Sequence, residues 1–341
     1  MLLIVFGAGA SYDSSTVYPP DRLSSLHRPP LANQLFEFDY RPKYAEAVNN
    51  LGPHFQAIIH RLRLVTAPQT IEGALEKLRD EEKTNPERTR QLAAVRFYLR
   101  YVLEESGREW LRQISGATNY QVLMDCIQHW LPDNTRVSLV TFNYDTMIDD
   151  AMPVVGISLR QIDDYVANER YKLIKLHGSI NWVRKFDNQT IYRQLADNEW
   201  EAARLIVEHA PQALGDEYRL ISSRSHSKLD NRVLFPAIAI PVEKKYAFEC
   251  PIGHLQTLKE CLPHVTKMLI VGWRGAEEHF AKLLVEQLPH TMQTLVVSAH
   301  ASDASEVIKR LQNFGIKGTF RPSEFGFSGF VQNEAEAFLG C

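Results

Sequence analysis

The chain has 341 residues, with 38 Lys and Arg against 41 Asp and Glu and a formal net charge of −3. That balance excludes a global basic field of the kind that draws a protein onto nucleic acid or anionic lipid, and the length allows one large α/β domain carrying an insertion. The four cysteines, Cys126, Cys250, Cys261 and Cys341, contain no CxxC pair, which predicts reduced, mostly buried thiols and no metal site.

The first residues, MLLIVFGAGAS, begin with an apolar run too short for a secretory leader with a basic flank. Nor does any stretch approach the roughly 20 apolar residues of a membrane span. A cytoplasmic protein is expected. Leu2–Phe6 predicts a strand buried on both faces of a parallel sheet. Residues 11–31, rich in Pro, Ser and Tyr, predict a long loop of the lid or binding type. Residues 70–131 predict a helical block. Ile71, Ala74, Leu75 and Leu78 form one apolar stripe, and a longer helix over 88–114 carries Leu92, Val95, Leu99, Val102 and Leu103. Its mixed-sign charges, Arg88, Arg96, Arg100, Glu104 and Arg108, predict a solvated face rather than a nucleic-acid surface.

Further strands are expected at 137–142, 172–176, 233–240, 268–272 and 294–298, alternating with helices near 145–152, 254–262, 276–288 and 304–311. This alternation predicts an α/β fold, a Rossmann-like doubly wound parallel sheet with a helical insertion. Residues 185–231, polar and weakly periodic apart from a helix-like stretch near Ala202, predict a small inserted subdomain within a single domain spanning 1–341.

Several strand ends carry the chemistry. At the first, Phe6 to Ser11 reads FGAGAS. Gly7 and Gly9, with Ala8 and Ala10, let backbone N–H groups approach a pyrophosphate closely, and Ser11 adds a hydroxyl; a plain tight turn fits the same residues. Tyr12 stands where a dehydrogenase fingerprint needs a third glycine, which weighs against hydride transfer. After the 137–142 strand, TFNYD places Asn143 and Asp145 two apart, able to offer an amide and a carboxylate to one crevice, although either also fits a helix N-cap. After the 172–176 strand, KLHGSINW puts His177 on a turn made by Gly178 and Ser179, with an imidazole suited to accepting a proton near neutral pH. A lone histidine is more often structural, but this one sits beside a second strand end bearing Asn and Asp. Gly272, in LIVGWRG, ends another strand in a glycine turn able to contact a ribose or adenine.

Taken in order, FGAGAS, TFNYD, LHGSINW and VGWRG resemble the sirtuin-like family, most closely its bacterial branch of NAD-consuming antiphage effectors. Residues 28–36, RPPLANQLF, resemble the proline-containing lid of that branch. The resemblance implies that the glycine turn from Gly7 to Ser11 cradles the pyrophosphate of NAD, that Asn143 orients ribose and attacking water, that His177 is the general base, and that Asp145 lies near the nicotinamide. Protein-deacylating members carry a zinc module built on two CxxC pairs, which this sequence lacks, and Ser298 stands where an asparagine often contacts adenosine.

The expected activity is therefore an NADase, a hydrolase that cleaves NAD to nicotinamide and ADP-ribose in antiviral defence. The alternatives are a deacylase or ADP-ribosyl transferase and, in another class, a non-catalytic NAD or ADP-ribose sensor. A homo-oligomer is expected, with an ATPase, an Argonaute-type protein or a phage component as regulatory partner by family analogy. Phe97, Tyr98, Tyr101 and Trp110 are candidates for the interface, each also fitting the chain's own core.

Overall fold

The computed structural model describes residues 1–16, 28–31, 34–36, 42–65, 69–114, 116–195, 197–210, 214–222, 227–242, 247–289 and 292–340. Most of the 11–31 loop and part of the 28–36 segment lie outside them. The chain divides into two compact units, one of Met1–Pro29, Glu109–His177 and Lys245–Cys341, the other of Pro30–Arg108 and Gly178–Lys244.

The first unit is a Rossmann-like, doubly wound α/β fold. Its strands are β1 (Leu2–Phe6), β2 (Val137–Thr141) and β3 (Tyr171–Lys175), with β8 (Lys267–Val271), β9 (Gln293–Val297) and β10 (Thr319–Pro322) numbered after the strands of the second unit. Among the described residues they form one all-parallel sheet in the order β10-β9-β8-β1-β2-β3. Counted along this sheet alone, that is the 3-2-1-4-5-6 order, which reverses between β1 and β8 and leaves a crevice at their carboxyl ends. All five residues of β1 and of β2 are buried, each large aliphatic side chain contributing about 1.5–3 kcal/mol. β10 was not foreseen because, as an edge strand, its residues are exposed or half-buried and it ends at Pro322.

Helices Asn119–Trp130, Ile252–Cys261, Glu278–Gln287 and Ala301–Phe314 belong to this unit. The first starts at a capping box, Thr118 accepting from the Gln121 N–H while the Gln121 side chain accepts from the Thr118 N–H. The helix expected over 145–152 is instead a turn followed by a 3-10 segment, Asp149–Val155. Pro153 inside it has no N–H to extend an α-helix, and Gly156 ends it at φ +76°.

The second unit holds β4 (Gly178–Phe186), β5 (Tyr218–Leu220), β6 (Lys228–Leu229) and β7 (Arg232–Ile238), an antiparallel sheet in the order β5-β4-β7-β6. The strand foreseen at 233–240 is thus β7, paired with β4 rather than added to the parallel sheet. Its apolar run is that of a buried strand of either kind, and periodicity does not separate the two. The segment 185–231 falls inside this larger unit. The unit's core is aromatic. Tyr98 stacks on Phe36 and Phe55 at 5.2 and 4.7 Å between ring centroids, and Tyr101 packs on Trp200. Tyr98, Tyr101 and Trp110 are buried, and Phe97 meets Phe235 edge-on, so these aromatics pack within their own units. Arg100 is buried, a correction to the solvated face. Of the three described cysteines, none of them in a disulfide, only Cys250 is buried; Cys126 and Cys261 are half-buried.

Candidate functional site

The turns that follow β1 and β8 are fastened backbone to backbone. Gly7 N–H donates to Val271 O at 3.0 Å, Gly9 N–H to Gly272 O at 3.1 Å, and Ala10 N–H to Gly7 O at 2.9 Å. Gly272 has φ +62°, and a Cβ on it would lie 2.2 Å from Ala10 N and 2.5 Å from Gly9 C. A side chain there meets both a strained conformation and solid backbone. On Gly7 a Cβ would lie 2.5 Å from Gly272 O. The three glycines therefore close the floor of the crevice, while Ala8 is the exposed residue of the turn.

Above this floor a buried polar chain crosses from β2 to β1. The two protons of Asn143 Nδ2 are shared among three acceptors, Gly7 O at 2.9 Å, Ser11 Oγ at 2.9 Å and Tyr120 Oη at 3.1 Å. Ser11 Oγ donates to Asp145 Oδ2 at 2.6 Å and lies 3.0 Å from Tyr120 Oη. Because the serine proton goes to Asp145, the tyrosine proton points to Ser11, and the order amide, phenol, hydroxyl, carboxylate is fixed. Burial first, then the nearby Asp145 charge, pushes the Tyr120 phenol well above its ordinary value and keeps it neutral. Burial also raises Asp145, against the pull of Lys175, the Ser11 hydrogen bond and the Met147 N–H.

The amide of Asn143 can take only one orientation, since flipping it would set Oδ1 against Gly7 O. All of its side-chain hydrogen bonds among the described residues run through Nδ2. Oδ1 remains as an acceptor. Asn143 is thus not a helix cap; its own N–H donates to Thr141 Oγ1. Asp145 combines two tasks, accepting from Ser11 through Oδ2 and from Met147 N–H through Oδ1 at 3.0 Å.

Beneath Asp145, the fully buried Lys175 at the end of β3 donates to Asp145 O at 2.6 Å and to Asp149 Oδ2 at 2.7 Å, and Asp149 also accepts from Tyr165 Oη. A buried cation is tolerable only when paired in this way. It fixes the backbone of the 145–149 turn.

His177, two residues past β3, is buried against Phe142 and Tyr144 at centroid distances of 4.9 and 6.0 Å. Phe142 in turn stacks on Trp273 at 5.4 Å. An aromatic wall therefore runs across the carboxyl ends of β3, β2 and β8. Gly178, at φ +75°, turns the chain directly into β4, and with the buried Ser179 belongs to the second unit.

The first unit thus places Gly7, Ala8, Gly9, Ala10, Ser11, Asn143, Asp145, His177 and Gly272 at the carboxyl ends of β1, β2, β3 and β8, with Gly7, Ser11, Asn143 and Asp145 joined by hydrogen bonds and His177 reached through the rings of Phe142 and Tyr144. Tyr120, Lys175 and Asp149 were missed. Only the Thr118 to Gln121 capping pattern hinted that a helix starts beside Tyr120. A cavity of about 470 Å³ lined by Arg136, Lys172, Cys261 and His264 lies at the opposite, amino-terminal edge of the sheet and includes none of these groups. No protein-family model matches the chain, and no curated protein matches it.

Proposed function

We propose that this protein binds NAD across the carboxyl ends of β1, β2, β3 and β8 and hydrolyses the nicotinamide–ribose bond. The observation that carries the proposal is the Asn143 amide, whose nitrogen is committed to Gly7, Ser11 and Tyr120 and whose Oδ1 is left as an acceptor at a strand end beside His177. Such an acceptor suits a ribose hydroxyl or a water molecule. Nicotinamide leaves NAD as a neutral base and needs no general acid, so the protein's task is to stabilise a cationic ribose and deliver water. The water oxygen bonds to the anomeric carbon as the C–N electron pair leaves with nicotinamide, and the water proton passes to His177. The products are ADP-ribose, nicotinamide and a proton.

The strand order adds support, because ligands of doubly wound sheets bind where that order reverses. The resemblance to sirtuin-like antiphage effectors adds the defence role and the expectation of an activating partner. Incubation of the pure protein with NAD, alone and with products of neighbouring genes, tests this by mass analysis of the products. Nicotinamide and ADP-ribose in equal amounts, lost in His177→Ala, are expected. Loss of the acetyl group from an acetyl-lysine peptide with acetylated ADP-ribose as the product would point to a deacylase, ADP-ribose retained on an acceptor to a transferase, and NAD binding without release to a sensor.

A further inference from the structure

We infer that Tyr120 is a positioning residue of the site: Gly7 O decides which end of the Asn143 amide is the nitrogen, and the Tyr120 hydroxyl, a further acceptor beside it, holds the amide plane at the angle that presents Oδ1 at the strand end. The inference deepens the NAD-cleavage proposal and, in its kinetic part, rests on it. Tyr120 lies in the first turn of helix Asn119–Trp130, far in sequence from every motif that marks the site. Its ring packs at 5.2 Å from Phe6 and 5.4 Å from Phe327. A phenylalanine would fill that space equally well. The hydroxyl is therefore the informative part, since burying it costs free energy unless it is used. It is used twice, accepting from Asn143 Nδ2 at 3.1 Å and donating to Ser11 Oγ at 3.0 Å.

The place of Tyr120 relative to the β1 turn is itself fastened. Asn119 N–H donates to Ser14 O at 2.8 Å, Asn119 Nδ2 donates to Asp13 O and Ser15 O at 2.7 Å each, and Trp110 Nε1 donates to Ser14 Oγ at 2.8 Å. Residues 13–15 directly follow the turn that carries Ser11. The phenol oxygen thus arrives from a separate helix at a set position; without it the two amide protons go to Gly7 O and Ser11 Oγ alone, and the third contact that limits rotation of the amide plane is lost. Asp145 polarises the Ser11 hydroxyl and through it the Tyr120 phenol, so removing the phenol takes away one of the two routes by which the carboxylate acts on the amide.

Tyr120→Phe tests this by two measurements on the full chain. In protein labelled with ¹⁵N-asparagine, the Asn143 side-chain NH₂ signals are identified by their absence from Asn143→Ala. The wild-type signals are expected to exchange with water at least tenfold more slowly than those of the exposed Asn134, and Tyr120→Phe is expected to reduce that protection at least threefold. In the nicotinamide assay kcat is expected to fall about tenfold with KM within about twofold, the pattern of a lost transition-state contact. Protection within twofold of wild type in the variant overturns the inference, as does an unprotected Asn143 amide in the wild type, which decides the matter if the variant fails to fold. If the wild type releases no nicotinamide, the proposed activity fails while the exchange data still judge Tyr120.

Discussion

Asn143→Asp keeps the side-chain shape and replaces the amide nitrogen with a second carboxylate oxygen. That oxygen would face Gly7 O, which has no proton to offer, across the 2.9 Å now spanned by a hydrogen bond. Ser11 cannot donate to it without abandoning Asp145, and Tyr120 cannot without abandoning Ser11, so neither adds a hydrogen bond to those already made. The two carboxylates would both lie within 3 Å of the same Ser11 oxygen, so their charges are at most about 6 Å apart and repel by about 3 kcal/mol at an effective dielectric near 20. Adding about 1 kcal/mol for the lost hydrogen bond gives a cost of about 4 kcal/mol at pH 7.5. Asn143→Ala, losing hydrogen bonds without adding charge, is expected to cost about 2–3 kcal/mol. The new carboxyl's folded-state pKa is raised above the unfolded value, so the protonated form is favoured on folding. The deficit against wild type therefore shrinks as pH falls from 7.5 to 5. Urea unfolding of the three proteins at both pH values, followed by tryptophan fluorescence, measures this. An Asp variant as stable as the Ala variant at pH 7.5, or a deficit that does not change with pH, refutes the assigned amide orientation.

His177→Ala is expected to lower nicotinamide release by about two to four orders of magnitude, and a rate within roughly threefold of wild type shows that His177 is not the base. In the second unit His54 bridges Glu87 at 2.7 Å and Glu208 at 2.6 Å through its two ring nitrogens, an arrangement that only the imidazolium satisfies. Burial lowers its pKa but the hydrogen bonds to Glu208 and Glu87 outweigh it and the net shift is upward. The tie is therefore complete below about 6.5 and lost as pH rises through the raised value. His54→Ala should lower the unfolding free energy at pH 6, by no more than about 1 kcal/mol for so exposed a cluster, and hardly at all at pH 9; equal losses at both refute the charged bridge. Ala8→Glu should weaken NAD binding at least tenfold in calorimetry with an unchanged melting temperature, and unchanged affinity removes the β1 turn from the binding site.

The parallel sheet was legible because its strands are short continuous apolar runs ending in glycine or polar turns. β1, β2, β3, β8 and β9 fall within one or two residues of expectation. The antiparallel sheet was not, because β4 begins at Gly178 with no loop to separate it from the His177 turn, and its pairing with β7 depends on a contact across some fifty residues that local pattern does not encode. Around the candidate site, the residues bearing distinctive motifs were visible in the sequence, and those brought there only by tertiary placement were not. Tyr120 and Lys175 look like ordinary helix and strand residues until Ser11 and Asp149 arrive beside them.

The glycines show why motif and mechanism must be tested separately. Read as sequence, Gly7 and Gly9 are the part of FGAGAS suited to a phosphate. In the fold the N–H of Gly7 is donated to Val271 at the end of β8 and that of Gly9 to Gly272 just after it, and their missing side chains make room for Gly272. A bulky residue at Gly9 would therefore part β1 from β8, and the resulting loss of NAD binding would say nothing about the pyrophosphate. Ala8 avoids that confusion. It is exposed, it is the first residue of the short Ala8–Tyr12 helix, and it bears on none of the three glycine contacts. A carboxylate at a helix N-terminus is neutral or slightly favourable for folding, so Ala8→Glu introduces repulsion toward a bound pyrophosphate while leaving the floor of the crevice intact. A variant that melts like the wild type and no longer binds NAD would locate the phosphates over this turn, and one that binds normally would place them elsewhere.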